Sequence, residues 1–427
     1  MQPLTLRTAC GLFAMLTIPG GMLAAELHVP GDYPTLQTAL AAAGSGTTIH
    51  VAAGVYGEPL VVQGKRVIIR GAGADLTVLD GFGLGQRVLE VAADASVTLA
   101  GLTLQNSASD GDGGAVHCAG ELTAVACQFS GNQGFRGGAI ASTAGKLILV
   151  NCAFAGNWAS SGGAVFSAGE MTLINSVLWG NGAAGLGGGV AAFRGSVTGC
   201  TLVDNAAGAG GGLAVGFGGA VPVANSILWG NTAAFAAFAQ LYSSGPVTAC
   251  NVEGGWAGEG NLDADPRFVD RTAGDFRLVA DSPCRNAGNN AWVPTDLVDL
   301  DADGDVAEPL PLDIEGLARV AEDIVDMGAH EFQPAGPTPI DRVRALQAAV
   351  QDLVAAGVRL PANGRPLTAK LDAVTACLTA GDFTGAIDAL TAFHNQVRAF
   401  GRTGRLSVET AAALLAETLS LITQLGG

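Results

Sequence analysis

A chain of 427 residues has room for more than one domain, and 63 glycines with only 14% charged residues describe a turn-rich body. A formal net charge of −17, with no basic patch along the chain, argues against nucleic acid or an anionic membrane surface as partner.

Residues 1 to 25 read as a secretory signal: Arg7, an apolar run from Cys10 to Ile18, the break Pro19-Gly-Gly and the small-residue end Ala24-Ala25. The mature chain then starts near Glu26, and the protein is expected to be secreted or held at the cell surface. The run is too short to cross a bilayer, so no transmembrane helix is expected in the mature chain. Cys10 stands at the start of the apolar run, not after it, which disfavours a lipoprotein cysteine.

From Glu26 to Gln105, Pro34 to Ala43 predicts a short amphipathic helix with Leu36, Ala39 and Leu40 on one face. Strands punctuated by glycine follow at Thr48–Val51, Leu60–Val62, Val67–Ile69, Val88–Val91 and Val97–Leu99. A cap is needed here, because the first coil of a stacked repeat otherwise exposes its core and a strand edge.

Between Gly101 and Gly260 one phrase returns five times: Cys127-Gln-Phe129-Ser-Gly-Asn132, Cys152-Ala-Phe154-Ala-Gly-Asn157, Ser176-Val-Leu178-Trp-Gly-Asn181, Cys200-Thr-Leu202-Val-Asp-Asn205 and Ser226-Ile-Leu228-Trp-Gly-Asn231. The asparagines step by 25, 24, 24 and 26 residues. A second phrase keeps pace, at Gly113-Gly-Ala-Val116, Gly137-Gly-Ala-Ile140, Gly162-Gly-Ala-Val165, Gly187-Gly-Gly-Val190 and Gly210-Gly-Gly-Leu213. The apolar runs between the marks are only three to five residues long, alternate with period two and are broken by glycine. Each unit is therefore a coil of short strands, and the fold is an all-β parallel β-helix. Stacking in register makes columns of Val116, Ile140, Val165, Val190 and Leu213, of Phe129, Phe154, Leu178, Leu202 and Leu228, and of the small residues Cys127, Cys152, Ser176, Cys200 and Ser226. The paired glycines fit turns of positive φ or close backbone approach. The structural ladder Asn132, Asn157, Asn181, Asn205 and Asn231 is expected to accept left-handed backbone and to bond up and down the stack.

These phrases resemble the polymorphic outer-membrane-protein type of repeat, Gly-Gly-Ala-Ile alternating with Phe-x-x-Asn, within the pectin-lyase-like superfamily of right-handed β-helices. Handedness comes from that resemblance. The stretch Tyr33-Pro-Thr-Leu-Gln-Thr-Ala-Leu40 with Ile49-His-Val-Ala-Ala-Gly-Val-Tyr56 is similar to the N-terminal cap of the same superfamily.

Seven cysteines follow the signal, three of them in the column shared with Ser176 and Ser226. That column wants a small buried side chain, so free thiols are preferred over the pairing an exported protein permits. No Cys-x-x-Cys pair suggests zinc.

Residues 261 to 333 hold 17 of the 38 acidic residues against five arginines. Asp263-Ala-Asp-Pro-Arg-Phe-Val-Asp270, Gly274-Asp-Phe-Arg-Leu278, Asp281-Ser-Pro-Cys-Arg-Asn-Ala-Gly288, Asp313-Ile-Glu-Gly-Leu-Ala-Arg319 and Asp326-Met-Gly-Ala-His-Glu331 resemble, in order, the closing segment of the choice-of-anchor Q family of extracellular β-helix proteins. The resemblance implies a segment that finishes the solenoid; the anchor sequence usual in that family is not found. The β-helix with cap and closing segment is thus expected over 26–333.

Gln333 to Pro339 carries three prolines, and 334–339 reads as a stiff linker. Residues 340–427 change to helical spacing, with Val343, Leu346, Val350 and Leu353, then Leu371, Val374 and Leu378, then Phe383, Ile387, Leu390 and Val397, then Leu414, Leu415, Leu419 and Ile422. Gly357, Gly381 and the Gly401–Gly404 turn are stops, giving a small four-helix bundle. Leu371 through Phe393 and the helix start Arg405-Leu-Ser407 resemble the FIMAH module, which is appended to many extracellular adhesins and hydrolases.

Three places offer chemistry. Asp110 and Asp112 stand one coil below Arg136, with His117 near, which is the only charged group of the repeats with partners at coil spacing; a solvated turn is the plainer reading. Asp299, Asp301, Asp303 and Asp305 open like an EF-hand loop with Gly304 at position 6, but position 12 is Leu310, so a weaker structural Ca²⁺ site is the reading that remains. Trp179 and Trp229 flank Val203 on outward positions of consecutive coils; they would stack on sugar rings or be covered by a loop or the helical module, and covering is the favoured reading. Two functions stay open: a non-catalytic surface or extracellular protein binding polysaccharide or a cell-surface protein through its flat face, and a polysaccharide lyase or glycoside hydrolase of the pectin-lyase-like kind. The scarcity of clustered carboxylates favours the first.

Overall fold

A computed structural model describes residues 25–243, 245–333, 339–358 and 360–426. The described residues fall into two compact units dividing between Gln333 and Pro334. The expected signal segment lies outside them apart from Ala25, as does the expected linker apart from Pro339.

From Glu26 to Val252 the chain winds as a parallel β-solenoid whose strands form a 16-stranded, a 9-stranded and a short 4-stranded sheet. The coils stack residue on residue. Leu79, Leu104, Phe129, Phe154, Leu178, Leu202, Leu228 and Val252 stand in one continuous register. Leu89, Val116, Ile140, Val165, Val190, Leu213 and Leu241 stand in another. Both columns are buried in a single core. The Phe129 and Phe154 rings stack at 4.8 Å and 5°, a geometry worth about 1 kcal/mol beyond burial. Cys127, Cys152, Cys200 and Cys250 are buried and unpaired, and all seven cysteines among the described residues are free.

Each coil turns three corners, and the sequence pays the left-handed backbone at each with a defined residue. The first glycine of each pair has positive φ, from 64° to 73°. The second has no room for a side chain: a Cβ on Gly138 would lie 2.2 Å from the Gly163 oxygen. The expectation for the ladder asparagines is corrected here. Asn132, Asn157, Asn181, Asn205 and Asn231 are not left-handed; the residue before each is, at Gly131, Gly156, Gly180, Asp204 and Gly230. The third corner lies before the cysteine column, at Gly101, Ala126, Asn151, Asn175, Gly199, Asn225 and Ala249.

The N-terminal end is closed by the helix Leu36–Ala42, capped by Thr35, whose Leu36, Ala39 and Leu40 complete the core. Glu58 accepts from the Leu36 and Gln37 amides at its start, and Lys65 Nζ donates to the Leu40 and Ala43 carbonyls at its end. Opposite charges thus meet both poles of the helix dipole.

Among its described residues the second unit has four α-helices, Pro339–Ala355, Arg365–Thr379, Phe383–Arg402 and Val408–Gly426, and a short 3-10 helix at Pro361–Gly364. Val343, Leu346, Leu371, Val374, Leu390, Phe393, Val397 and Leu421 share one buried core. Asp382 and Ser407 cap the third and fourth helices through the Gly385 and Thr410 amides, and Gly357, Gly381 and Gly404 take positive φ between helices.

Candidate functional site

After Val252 the chain adds one further bridge, Asn251 to Leu262, and then turns back along the outside of the coils it has built. Beyond that bridge the acidic segment does not extend the stack; it roofs one side of it. Val125, Val150 and Ile174, which point outward, are covered by Val298, Leu300 and Leu310. Val177 and Val203 are covered by Phe276, Ile314 and Ala329, and Ile227 by Leu278, Cys284 and Met327.

The proposed aromatic stripe lies under this roof. The Trp179 indole meets Phe276 edge-on at 5.7 Å, Phe276 meets Phe268 at 5.3 Å, and Trp229 packs in the cluster that also contains Phe268. Trp179 and Trp229 are half-buried under protein, so of the two readings the sequence left open it is the covering segment that the fold supplies. The outward residues flanking them are apolar (Val177, Val203, Ile227), and an apolar stripe of that length is what a returning segment can bury.

The roof is held together by a buried ionic knot made from the phrases of the segment, and it is held to the coils by Asn151, Asn175 and Asn225, whose side-chain amides donate to the Asp313, Leu312 and Asn289 carbonyls. Arg319, 2% exposed, donates to Glu331 at 3.0 Å and to the Gly328 and Asp326 carbonyls at 2.9 and 3.3 Å. Asp313 accepts the amides of Glu315, Leu317 and Glu331; Asp326 accepts those of Asn286 and Phe332. The Ala329 amide donates to Thr201 Oγ1 on the coil beneath, and a Cβ on Gly328 would lie 2.8 Å from Thr201 Oγ1. Burial, then the Asp326 carboxylate, push the Glu331 carboxyl up to about 7, and burial pulls the His330 imidazole down to about 4. Arg271 ties the roof to Asp204 in a two-pronged ion pair.

The asparagine ladder is continuous. Each side-chain oxygen accepts from the backbone amide and side-chain amide of the asparagine one coil earlier, at 2.9–3.0 Å, from Asn132 to Asn231. Gln240 ends the run, accepting from Asn231 Nδ2 at 2.7 Å and donating to Glu253.

The four residues considered for catalysis separate into two sets. Asp112 and Arg136 form a two-pronged ion pair, and the Arg136 guanidinium lies 4.7 Å over the Phe166 ring. His117 goes elsewhere, its Nδ1 2.6 Å from Glu90 and its Nε2 3.3 Å from Thr143 Oγ1, while Arg87 holds Glu90 at 2.5 Å. Burial works to raise the Glu90 carboxyl, but His117 and then Arg87 outweigh it and hold it below its usual range. Asp110 is exposed and joins neither set. His117 misses the expected cluster because it sits in a strand, in register with Glu90, and not in the turn that carries Asp112. A groove of about 570 Å³ lies near the N-terminal end, lined by Ser45, Lys65, Arg66, Asp94 and Glu121, its lysine bound to the helix carbonyls noted above.

In the acidic loop, Asp299, Asp301 and Asp303 bring carboxylate oxygens within 4.8 Å of one another, as do Asp296, Asp301 and Glu308. Asp305 is not part of either group; it accepts the Ala307 amide. The missing EF-hand glutamate thus has a counterpart in Glu308, two residues before Leu310, and one Glu308 oxygen is buried without a hydrogen-bond partner.

The uncovered face carries aromatics that the sequence reading passed over. Trp158, 50% exposed, follows Asn157 in the column Gln133, Trp158, Gly182, Ala206, Thr232, and the six-membered ring of its indole rests on Gly182. Next to it runs a loop column with Phe135 and Phe235 at its ends, 56% and 68% exposed, and Ser160, Gly185 and Gly208 between. Its ends are four coils apart, about 19 Å. The signal was present as a lone bulky residue in a column of small ones.

Among the described residues no helix is long and apolar enough to cross a membrane. Residues 88–252 match the family model described as a right handed beta helix region, and residues 343–423 match the FIMAH domain. No curated protein matches in sequence. Among solved structures, a pectin methylesterase from Erwinia chrysanthemi aligns over 61% of this chain and 99% of its own at 11% identity and a TM-score of 0.37. A carrot pectin methylesterase aligns over 58% and 80% at 15% identity and a TM-score of 0.30. Pectate lyase Pel9A aligns over 73% and 97% at 12% and 0.30. Residues 88–252 thus form a right-handed parallel β-helix, and residues 343–423 are a FIMAH domain.

Proposed function

We propose that this is an exported, non-catalytic β-helix protein that binds a glycan on the uncovered side of its solenoid. The observation that carries the reading is the Trp158 indole, half-exposed and seated on Gly182, beside a smooth floor of Ser160, Gly185 and Gly208 bounded by Phe135 and Phe235. A flat aromatic over a bare backbone floor presents its face to a sugar ring, and a column of small residues leaves an extended chain room to lie along the coils. The acidic loop, with two carboxylate groups sharing Asp301, serves as a structural Ca²⁺ site rather than part of the binding face.

The enzyme reading, a polysaccharide lyase or glycoside hydrolase, is favoured by one feature: the His117 imidazole oriented by Glu90 on an open strand. Against it, Asp112 is bound to Arg136 and Glu90 to Arg87, so neither carboxylate is free to exchange a proton with a substrate. Affinity electrophoresis of Trp158→Ala in gels cast with neutral polysaccharides tests the proposal. Retention is expected to fall about tenfold with the melting temperature unchanged; equal retention of the variant and wild type would sink it. Product release from uronate or neutral polysaccharides, lost in His117→Ala, would establish the enzyme reading instead.

A further inference from the structure

We propose that Glu26, His28 and His50 form a Zn²⁺ site on the outer surface of the solenoid's first coil. The strand Glu26–Val29 is the edge of its sheet and pairs in parallel with Thr47–Val51, placing His28 directly beside His50. The two imidazoles lie 5.1 Å apart at 16°, and ligand atoms from both and from the Glu26 carboxylate all fall within 4.8 Å of one another. Two imidazoles and a carboxylate are a zinc ligand set that leaves a fourth position for water.

Two further observations point to an ion. His50 Nε2 is buried and has no hydrogen-bond partner, a condition that needs an explanation in a folded protein. His28 Nδ1 is held by Asp32 at 3.1 Å, which directs Nε2 outward in the carboxylate–histidine arrangement that orients metal ligands. Tetrahedral coordination at about 2.0–2.1 Å needs ligand atoms about 3.4 Å apart. Glu26 is exposed and free to close that distance by side-chain rotation, while His28 stays oriented by Asp32. Arg70 follows His50 in register on the side away from His28, and the carboxylates of Glu26 and Asp32 outnumber its charge. Asp32 is a positioning residue, acting through His28. The bound ion would cross-link the edge strand to its neighbour.

The test is calorimetric titration of untagged, chelator-treated full chain with ZnCl₂, backed by metal analysis after gel filtration. One equivalent is expected. Affinity should fall at least about tenfold in His50→Gln and Glu26→Gln and about tenfold in Asp32→Asn. Asp301→Asn, which disables the acidic loop, should bind zinc as wild type does. Glu26 is exposed, so its variant folds even if a histidine variant does not; far-ultraviolet circular dichroism checks each. Amide exchange at Leu27–Val29 should slow on adding zinc. No zinc retained by the wild type, equal binding by Glu26→Gln and wild type, or loss of binding only in Asp301→Asn would overturn the assignment.

Discussion

At the scale of single residues, the asparagine ladder and the ionic knot set the stability. Asn181 is 1% exposed; it bonds Asn205 and the Phe154 carbonyl and accepts from Asn157 twice. Alanine in its place leaves two buried donors on Asn157 without their acceptor and removes one bond each from Asn205 Oδ1 and the Phe154 carbonyl, at roughly 1–3 kcal/mol for an unmet group. Asn181→Ala is therefore expected to lower stability by about 3 kcal/mol in urea unfolding, and a loss below about 0.5 kcal/mol would show that the ladder is dispensable. His330 is a second such residue. Its folded pKa of about 4 against 6.5 when unfolded means that only the unfolded chain takes up a proton between those values. Its share of stability is complete above pH 6.5 and is lost as pH falls toward 4. Glu331, raised to about 7, works in the opposite sense, losing its share as pH rises from 4.5 to 7. Comparing His330→Gln with wild type isolates the histidine. The variant should lose about 3 kcal/mol less than wild type between pH 7 and pH 4, and parallel profiles would count against a neutral buried imidazole.

At the scale of elements, what the sequence made legible was whatever repeats. The columns of Phe129 and Val116, the paired glycines and the ladder are periodic, so each copy corroborates the next, and the solenoid could be read from spacing alone. The roof has no period. Its phrases are held by contacts such as Ala329 with Thr201, 128 positions apart in sequence, which local patterning does not encode. For the same reason the sequence shows Trp179 and Trp229 only as outward-pointing: that position is visible in one coil, while the identity of the segment that covers it is not, because that segment arrives from elsewhere. The acidic loop shows the middle case. Asp299, Asp301 and Asp303 were legible as a motif, whereas Asp296 and Glu308 join Asp301 only through the fold of the loop. Because Asp301 belongs to both groups, Ca²⁺ should raise the melting temperature of wild type but not of Asp301→Asn. At a hundredfold excess over Kd the expected gain is about 2.7 kcal/mol. A wild-type melting temperature that does not respond to millimolar Ca²⁺ would remove this ion from the account.

At the scale of the whole molecule, charge decides which glycans the uncovered face can meet. A net charge of −17 surrounds the chain with a negative field that repels polyanions, and that field is cut to a range of about 10 Å at 0.1 M salt and about 3 Å at 1 M. Stacking on Trp158, Phe135 and Phe235 involves no charge and does not weaken under screening. Retention on a neutral polysaccharide is accordingly expected to be unchanged between low and high salt. Binding to a polyuronate should be weak at low salt and should strengthen as salt or Ca²⁺ screens the repulsion. A polyuronate that binds most tightly at low salt would mean that a local basic contact, with Arg136 the nearest to the Phe166 ring, outweighs the field of the whole protein. In that event the ligand lies toward the strand bearing His117, and the binding face moves one side around the coil from Trp158.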